Sequence, residues 1–302
     1  INFNENISNK FVESLRYPHH IYIPIDNHNT FHTHSSCFLI NQIWDKKKLS
    51  PLIKIKKSHN NLCKNILKDK FNIKDSDWFV IVHLRDSSYK GSDSYRDVNI
   101  ENYIESFKEI SNLGGHIIRM GSSEQNKLNL NIKNFIDYPH SGFKSDIMDL
   151  FLCHNCKFFL GTSSGLAAIS YIFNRPIALS NYLPTSTIYL RKKDIFIPKI
   201  LIDKKSKNIL PISKQFSWPY SLGISEGHYR NLLNVDFVNN SSDEIKNLVH
   251  EMLYTLKIKK QIKNSHSKKN LKAKFNHVTK NLLISDKNLK LDCRISDYFL
   301  SK

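Results

Sequence analysis

The sequence predicts an α/β fold built on a parallel, Rossmann-like sheet. Residues 157–180 show the pattern strand, tight turn, helix and strand, which is the repeating unit of such a sheet. A continuous apolar run at 78–82 is typical of a strand buried on both faces. Strand and helix patterns then alternate up to about residue 256, as expected of a sheet covered by helices.

The elements before residue 75 are weakly marked. Residues 20–25 form a candidate strand, and residues 36–44 and 60–71 form candidate helices. Residues 1–74 are too few for a complete Rossmann domain, and we interpret them as a reduced N-terminal region, either the remnant of such a domain or a helical collar.

From residue 75 the pattern sharpens. The strand at 78–82 leads into HLRD at 83–86 and then into a polar loop that ends near Asp97. A helix over about 99–112 follows, and Gly114 and Gly115 close it. The next predicted elements are a strand at 116–120, a strand at 134–136 and a helix at 145–153.

The central unit begins with a strand at 158–160 and the small residues GTSSG at 161–165. A helix follows until Pro176 stops it, and a strand at 177–179 completes the unit. Small residues let a ligand approach the backbone, hydroxyls donate to phosphate oxygens, and a helix N-terminus favours an anion. The alternative is a plain strand-to-helix turn capped by Ser163 or Ser164.

The C-terminal part is less regular. A strand at 195–202 contains Pro198, which predicts an edge position. A final helix begins behind Ser241 and ends near Leu256, so that the regularly patterned region covers 75–256. Residues 257–302 are predicted to be a basic C-terminal extension, solvated in its lysine-rich part, with little apolar surface to bury.

Charge is the unusual bulk property of this chain. Its 45 Lys and Arg against 27 Asp and Glu give a net charge of +18. Such a balance suggests nucleic acid, an anionic membrane surface or phosphorylated substrates as partners, and an AT-rich genome is the alternative explanation.

The five cysteines do not form a disulfide framework, and Cys153 and Cys156 are predicted to be buried thiols. No apolar run is long enough to span a membrane.

Several strand ends are predicted to meet at one rim of the sheet. An arginine at one end and a hydroxyl-rich helix start at another suit a diphosphate. No Walker motif is present, no GxGxxG follows a strand, and no GxSxG elbow occurs. These absences argue against ATP hydrolysis, ordinary nicotinamide binding and a serine hydrolase.

At this rim the sequence resembles a known family. VIVHLRD, YRD, IRMGSS, IDYP, the run SDIMDLFLCHNCKFFLGTSSGL and DIFIPK are similar to a family of bacterial proteins predicted to be glycosyltransferases of surface-polysaccharide loci. The likeness covers roughly residues 75–255. More distantly, the HxR at a strand end and the serine-rich turn resemble GDP-fucose-dependent fucosyltransferases, although Asp86 stands where these usually have a second arginine.

This resemblance implies a GT-B-like fold, in which 75–256 is the nucleotide-sugar-binding domain and 1–74 is a reduced, acceptor-side region. It also implies a sugar transfer from a nucleotide-diphosphate donor to a hydroxyl of a glycan or lipid-linked acceptor. Arg85, Ser163 and Ser164 are then expected on the donor diphosphate. The other residues predicted to bind the donor are His83, Gly121, Ser122, Asp146, Thr162 and Gly165.

For an inverting reaction, Asp86 and Asp97 are the candidate bases, with Asp86 first. An ion pair of Asp86 with Arg85 or Arg96 is the alternative, and Asp146 is equally a helix cap. No DxD motif follows a strand, so neither a metal nor another cofactor is expected.

Two competing functions remain open at the level of sequence. One is a basic nucleic-acid-binding protein, although the aromatic residues fall mostly in apolar runs and nucleic acid is not the expected partner. The other is an inactive sugar-binding module. For the enzyme we expect a cytoplasmic location, with peripheral contact to an anionic membrane as an alternative role for the basic tail.

Overall fold

A computed structural model of the chain describes most of the region after residue 42. The described residues are 43–86, 94–183, 191–217, 219–222, 226–259, 273–274, 277 and 293–301, together with the backbone of 22–24 and 30–32. The short strands β1 (Tyr22–Pro24) and β2 (Thr30–His32) pair antiparallel with each other.

Within the described residues, seven parallel strands form one sheet. In spatial order they are β5 (Phe135–Asp137), β4 (His116–Met120), β3 (Phe79–His83), β6 (Phe159–Gly161), β7 (Ile177–Tyr182), β8 (Ile195–Pro198) and β11 (Arg294–Ile295). In chain order the first six read 3-2-1-4-5-6, the arrangement of a Rossmann-like sheet. The prediction of an α/β fold with a parallel, Rossmann-like sheet is therefore confirmed.

The apolar runs of the sequence form the interior strands because both of their faces are covered. Val80, Ile81 and Val82 of β3 are fully buried, and so are Phe159 and Leu160 of β6. Such continuous apolar runs belong to parallel strands with helices on either side, where no face meets water.

Helices cover the sheet in two groups. They are α1 (Lys57–Phe71), α2 (Ile104–Asn112), α3 (Asp146–Asn155), α4 (Gly165–Ile172), α5 (Ile212–Gln215), α6 (Ser242–Thr255) and α7 (Asp297–Ser301). Helix α2 packs on α6, and α3 packs on both α1 and α4. Right-handed crossovers that step in opposite directions from the centre place α2 and α4 on opposite faces.

Side-chain caps begin three of these helices where the sequence predicts a start. Ser145 caps α3, Ser164 caps α4, and Ser241 forms a reciprocal capping box with Glu244 at the start of α6. The inward residues predicted for α6, which include Ile245, Leu248 and Leu253, are fully buried.

Helix α1 shares the core of the sheet. Cys63, Leu67 and Ile73 are buried in the same apolar cluster as the strands and as α6. The sequence assigns these residues to a separate N-terminal region, and the boundary near residue 74 stays a prediction.

The strand predicted at 195–202 is interrupted near Pro198 as expected, but its predicted edge position is wrong. The structure divides it into β8, which lies between β7 and β11 in the large sheet, and β9 (Ile200–Asp203). Strand β9 pairs antiparallel with β10 (Val235–Val238). Pro198 is tolerated inside the sheet because it is the last residue of β8, where little of the ladder is lost.

The end of the C-terminal extension also differs from its prediction. Residues 293–301 add β11 to β8 and place α7 against α6. Ile295, Phe299 and Leu300 are buried in the main core. The strand and the helix in 293–301 are too short to recognise in the sequence, because only a few apolar residues follow a long polar stretch.

Cys153 and Cys156 are buried free thiols, as the sequence predicts. Burial raises the pKa of Cys153 to about 12. Among the described helices, none is both long and apolar enough to cross a membrane.

Candidate functional site

The candidate site lies where the strand order reverses. From β3 the chain moves to β4, which lies on one side of β3. The neighbour on the other side of β3 is β6, and from β6 the chain moves in the opposite direction, to β7. The connections therefore leave a crevice outside the carboxyl ends of β3 and β6, where open α/β sheets bind ligands. The HLRD and GTSSG segments follow these two strands directly.

A cavity of about 690 Å³ occupies this crevice. Its described lining comprises His83, Arg85, Arg96, Gly121, Ser122, Glu124, Gln125, Lys144, Asp149, Ser163, Ser164, Gly165 and Leu166. Three segments that the sequence predicts to meet at one rim, 83–86, 119–123 and 161–165, therefore share one space.

Two glycines allow the strand ends to approach each other. Gly161 has a φ of +151°, and a Cβ there would lie 2.1 Å from the carbonyl oxygen of His83. Gly121 has a φ of +149°, and a Cβ there would meet the Gln125 side chain at 1.8 Å. Both positions have a backbone conformation that disfavours other residues, and at Gly161 the backbone of His83 also leaves no space for a side chain.

The serine-rich turn presents the start of α4 to the cavity. The hydroxyl of Ser164 accepts a hydrogen bond from the backbone amide of Ala167 at 3.2 Å. The hydroxyl of Ser163 donates to the carbonyl oxygen of Leu183 at 3.4 Å. The helix cap proposed as the alternative for this turn is thus present at Ser164, and both serines also line the cavity. Thr162 is buried and is not among the described lining residues.

His83 is an uncharged imidazole at neutral pH. Burial lowers its pKa to about 4, and the charges of Arg119 and Arg85 act in the same direction. Its Nδ1 atom is buried and has no hydrogen-bond partner among the described residues. A neutral imidazole lining the cavity is available to donate or accept a hydrogen bond.

Arg85 lies in the first turn after β3 and faces Asp97. Its Nε atom is 3.6 Å from Oδ1 of Asp97. The amide of Val98 donates to the carbonyl oxygen of Arg85 at 3.0 Å, so the chain returns to the strand end at this point. The Arg85 side chain is only 11% exposed, whereas the sequence predicts an exposed rim position. Burial raises the pKa of Asp97, although the charges of Arg85 and Lys199 oppose this effect.

Arg119 is a buried centre of charge beside the site. Its guanidinium lies 2.7 Å from the Asp137 carboxylate and 3.8 Å from that of Asp86. It also donates to the carbonyl oxygen of Asn126 at 3.0 Å. Asp86 is thereby held near Arg119 and is not among the described residues that line the cavity.

The start of α3 forms another wall of the cavity. Lys144 and Asp149 both line it, and their charged groups are 2.7 Å apart. Asp146 is exposed and is not among the described lining residues. Ser145, not Asp146, caps this helix by accepting a hydrogen bond from Met148.

Sequence reasoning missed some of the residues that line the cavity. Arg96, Glu124, Gln125 and Lys144 are in this group. The sequence does contain a signal for two of them, because Arg96 lies in the YRD motif and Lys144 directly precedes a helix cap. Gln125 has no such signal, because its role depends on donating to the carbonyl oxygen of Leu84, 41 residues away.

In the described part of the chain, no group of three or more His, Cys, Asp or Glu residues is arranged to hold a metal ion. Comparison with protein-family models, curated proteins and solved structures finds no significant match for this chain. The geometry of the crevice is therefore the main structural indication of what this chain binds.

Proposed function

We propose that this protein is a glycosyltransferase that uses a nucleotide-sugar donor. One observation carries the proposal: Arg85 and the N-terminus of α4 line the same cavity at the point where the strand order reverses. A diphosphate fits between a guanidinium and a set of free helix amides, because both bind phosphate oxygens.

The size and charge of the cavity support a nucleotide sugar. A volume of about 690 Å³ is within the range of small-molecule sites. Arg96 and Lys144 add positive charge to the lining, in addition to Arg85. The acidic side chains in the lining, Glu124 and Asp149, offer acceptors for sugar or ribose hydroxyls.

The proposed reaction breaks the bond between the anomeric carbon of the sugar and an oxygen of the diphosphate, and it forms a bond between that carbon and the acceptor hydroxyl oxygen. Negative charge then develops on the leaving diphosphate, and Arg85 with the amides of α4 stabilises it without rearranging. In an inverting reaction a base accepts the proton of the acceptor hydroxyl. Asp97 is the first candidate because it lies 3.6 Å from Arg85, which lines the cavity, and because burial raises its pKa. Asp86, which lies beside Arg119, is the second candidate, and neither carboxylate is among the described lining residues.

The GT-B-like arrangement belongs to this proposal as well. The sheet of seven strands would be the donor half, and the N-terminal residues a reduced acceptor half. The resemblance of HLRD, IRMGSS and GTSSG to glycosyltransferase motifs supports this interpretation. The acceptor would be a glycan or a lipid-linked saccharide.

Ligand-induced thermal stabilisation of the full chain tests the proposal. A panel of UDP, GDP, CDP and dTDP is compared with the matching monophosphates and with a short single-stranded RNA, each with and without EDTA. We expect one diphosphate to raise the melting temperature by an amount that EDTA does not change. A hundredfold excess over Kd adds about 2.7 kcal/mol to the free energy of unfolding, which is measurable.

The other outcomes of the panel each contradict part of the proposal. Loss of the shift in EDTA would exclude the metal-independent mechanism. Stabilisation by RNA but by none of the diphosphates would favour the nucleic-acid-binding function that the net charge of +18 suggests. Donor binding without sugar transfer to any tested acceptor would favour an inactive sugar-binding module.

A further inference from the structure

The DIFIPK motif ends on a lysine whose role is not explained by the cavity lining. Lys199 lies where the chain leaves β8 and enters β9, at the carboxyl edge of the large sheet. Its backbone is fixed, because its amide donates to Tyr182 at 3.3 Å and the preceding carbonyl oxygen of Pro198 accepts from Asn240 at 2.9 Å.

The side chain of Lys199 is directed into the protein. Only 3% of the residue is exposed. Its ammonium donates to the carbonyl oxygen of Tyr95 at 2.6 Å and to that of Asp97 at 2.9 Å. These two carbonyls stand on either side of Arg96, so one ammonium fixes the backbone both before and after this residue.

This arrangement connects a buried charge to the candidate site. Arg96 lines the cavity, and Asp97 lies beside Arg85. A buried lysine is unfavourable unless its charge is satisfied, and here two acceptors come from a segment about a hundred residues away. Tyr95 is already held by apolar contacts, since its ring packs against those of Tyr229 and Phe237. The buried ring of Tyr95 therefore anchors one end of the segment 95–97, and the Lys199 ammonium fixes the orientation of the backbone around Arg96.

We propose that Lys199 is a positioning residue for the candidate site. Its ammonium holds the segment 95–97 so that Arg96 faces the cavity and Asp97 stays beside Arg85. Lys199 itself is too deeply buried to contact a ligand. The inference deepens the proposed function, and only its ligand-binding consequence rests on that function.

Amide hydrogen exchange on the full chain tests the positioning role directly. Lys199→Met removes the ammonium and keeps a side chain of similar length, and Lys199→Arg restores a charged donor. We expect Lys199→Met to speed exchange in residues 94–98 by about tenfold or more while β3 exchanges as before, because only the local contact is lost. Lys199→Arg should recover part of the protection. Lys199→Gln replaces the methionine variant if that chain does not fold.

The matched control is Lys193→Met. Lys193 is another largely buried lysine, its ammonium donates to the carbonyl oxygen of Asn174 at 2.6 Å, and burial lowers its pKa to about 8, as it does for Lys199. It precedes β8 at the opposite edge of the sheet. The control should leave exchange in 94–98 unchanged, whatever it does to global stability.

Binding of inorganic pyrophosphate, measured by calorimetry, provides the second readout. We expect Lys199→Met to weaken this binding about tenfold, since misplacement of a charged donor lowers its contribution steeply. Arg96→Ala should weaken it similarly, and the double variant should be little worse than either single one, because Lys199 acts through Arg96.

The outcomes separate the two proposals. Unchanged exchange in 94–98 of folded Lys199→Met, or equal effects of the Lys193 control, would overturn the positioning role. Fully additive losses in the double variant would likewise overturn the action through Arg96. If pyrophosphate does not bind the unaltered protein while the exchange result holds, the diphosphate site is wrong and the positioning role of Lys199 stands.

Discussion

At the scale of single residues, the site combines charged groups that are much less exposed than a surface loop suggests. Arg85 is 11% exposed and pairs with Asp97, and Arg119 is almost fully buried between two carboxylates. Buried charges are costly without partners, so these pairs fix the positions of the side chains around the crevice. The same burial shifts the pKa of His83 and that of Asp97.

Arg85→Lys separates a ligand-binding role from a structural one. Lysine keeps the charge but does not supply two parallel donors to a diphosphate. We expect the affinity for the stabilising nucleoside diphosphate to fall about 10- to 100-fold, corresponding to 1.5–3 kcal/mol for a charged hydrogen bond. Because Arg85 also contacts Asp97, the free energy of unfolding should fall by roughly 1 kcal/mol.

The control for this variant is Arg230→Lys, which makes the same chemical change at a more exposed ion pair with Glu226. It should leave diphosphate affinity unchanged. Calorimetry on the folded proteins measures the affinity for the diphosphate. An Arg85→Lys protein that binds the diphosphate normally would rule out the proposed contact.

His83 should make stability depend on pH. Its pKa is about 4 in the folded protein and about 6.5 in the unfolded chain, so the unfolded state binds more protons between these values. Its contribution to stability is therefore present above pH 6.5 and is lost as the pH falls toward 4. Between pH 7 and pH 5 the protein should lose roughly 2 kcal/mol more stability than His83→Asn does.

Urea unfolding at both pH values measures this difference. His59→Asn, which makes the same replacement on α1, serves as the control for the change of side chain. An identical pH dependence for His83→Asn and the unaltered protein would show that His83 is not buried in its neutral form.

At the scale of elements, strand β11 and helix α7 are packed parts of the fold. Strand β11 continues the large sheet beyond β8, and the amides that begin α7 are capped by Glu251 of α6. The Glu251 carboxylate accepts hydrogen bonds from the amides of Asp297 and Tyr298 at 2.9 and 3.1 Å and from the hydroxyl of Ser296 at 2.6 Å. This segment is therefore part of the fold, whereas its sequence suggests a dispensable extension.

Truncation after residue 292 should consequently destabilise the protein. It exposes the surface that Ile295, Phe299 and Leu300 cover, and each such side chain contributes about 1.5–3 kcal/mol when buried. Phe299→Ala in the full chain should cost about 3–5 kcal/mol. Ser301→Ala, at the end of the same helix, should change stability by less than about 0.5 kcal/mol. Thermal unfolding measures all three, and a truncated chain with an unchanged melting temperature would contradict the packed end.

At the scale of the whole molecule, one parallel sheet organises both the core and the crevice. The strand order places the ends of β3 and β6 side by side, although His83 and its register partner Gly161 are 78 positions apart in the sequence. Helix α1 and the C-terminal segment share the core of this sheet. A second, smaller cluster around Tyr95 and Tyr229 forms above the carboxyl edge and supports the segment that Lys199 holds.

The sequence by itself determined the local elements of this protein. Apolar runs identified the strands at 79–83 and 116–120, and serines before helical patterns identified the starts of α3, α4 and α6. It also indicated which strand ends carry polar groups. These features are predictable because periodicity and capping depend on residues only a few positions apart.

Only the tertiary structure decided which of these groups meet. The neighbourhood of β3 and β6, the pairing of Arg119 with Asp137, the reach of Lys199 to Tyr95 and Asp97, and the addition of β11 to the sheet all join distant segments. Such contacts are set by chain crossovers and side-chain packing. Lys199 and Arg119 are basic residues in apolar stretches, and nothing local distinguishes a lysine or arginine that turns inward to satisfy a distant carbonyl or carboxylate from one that reaches solvent.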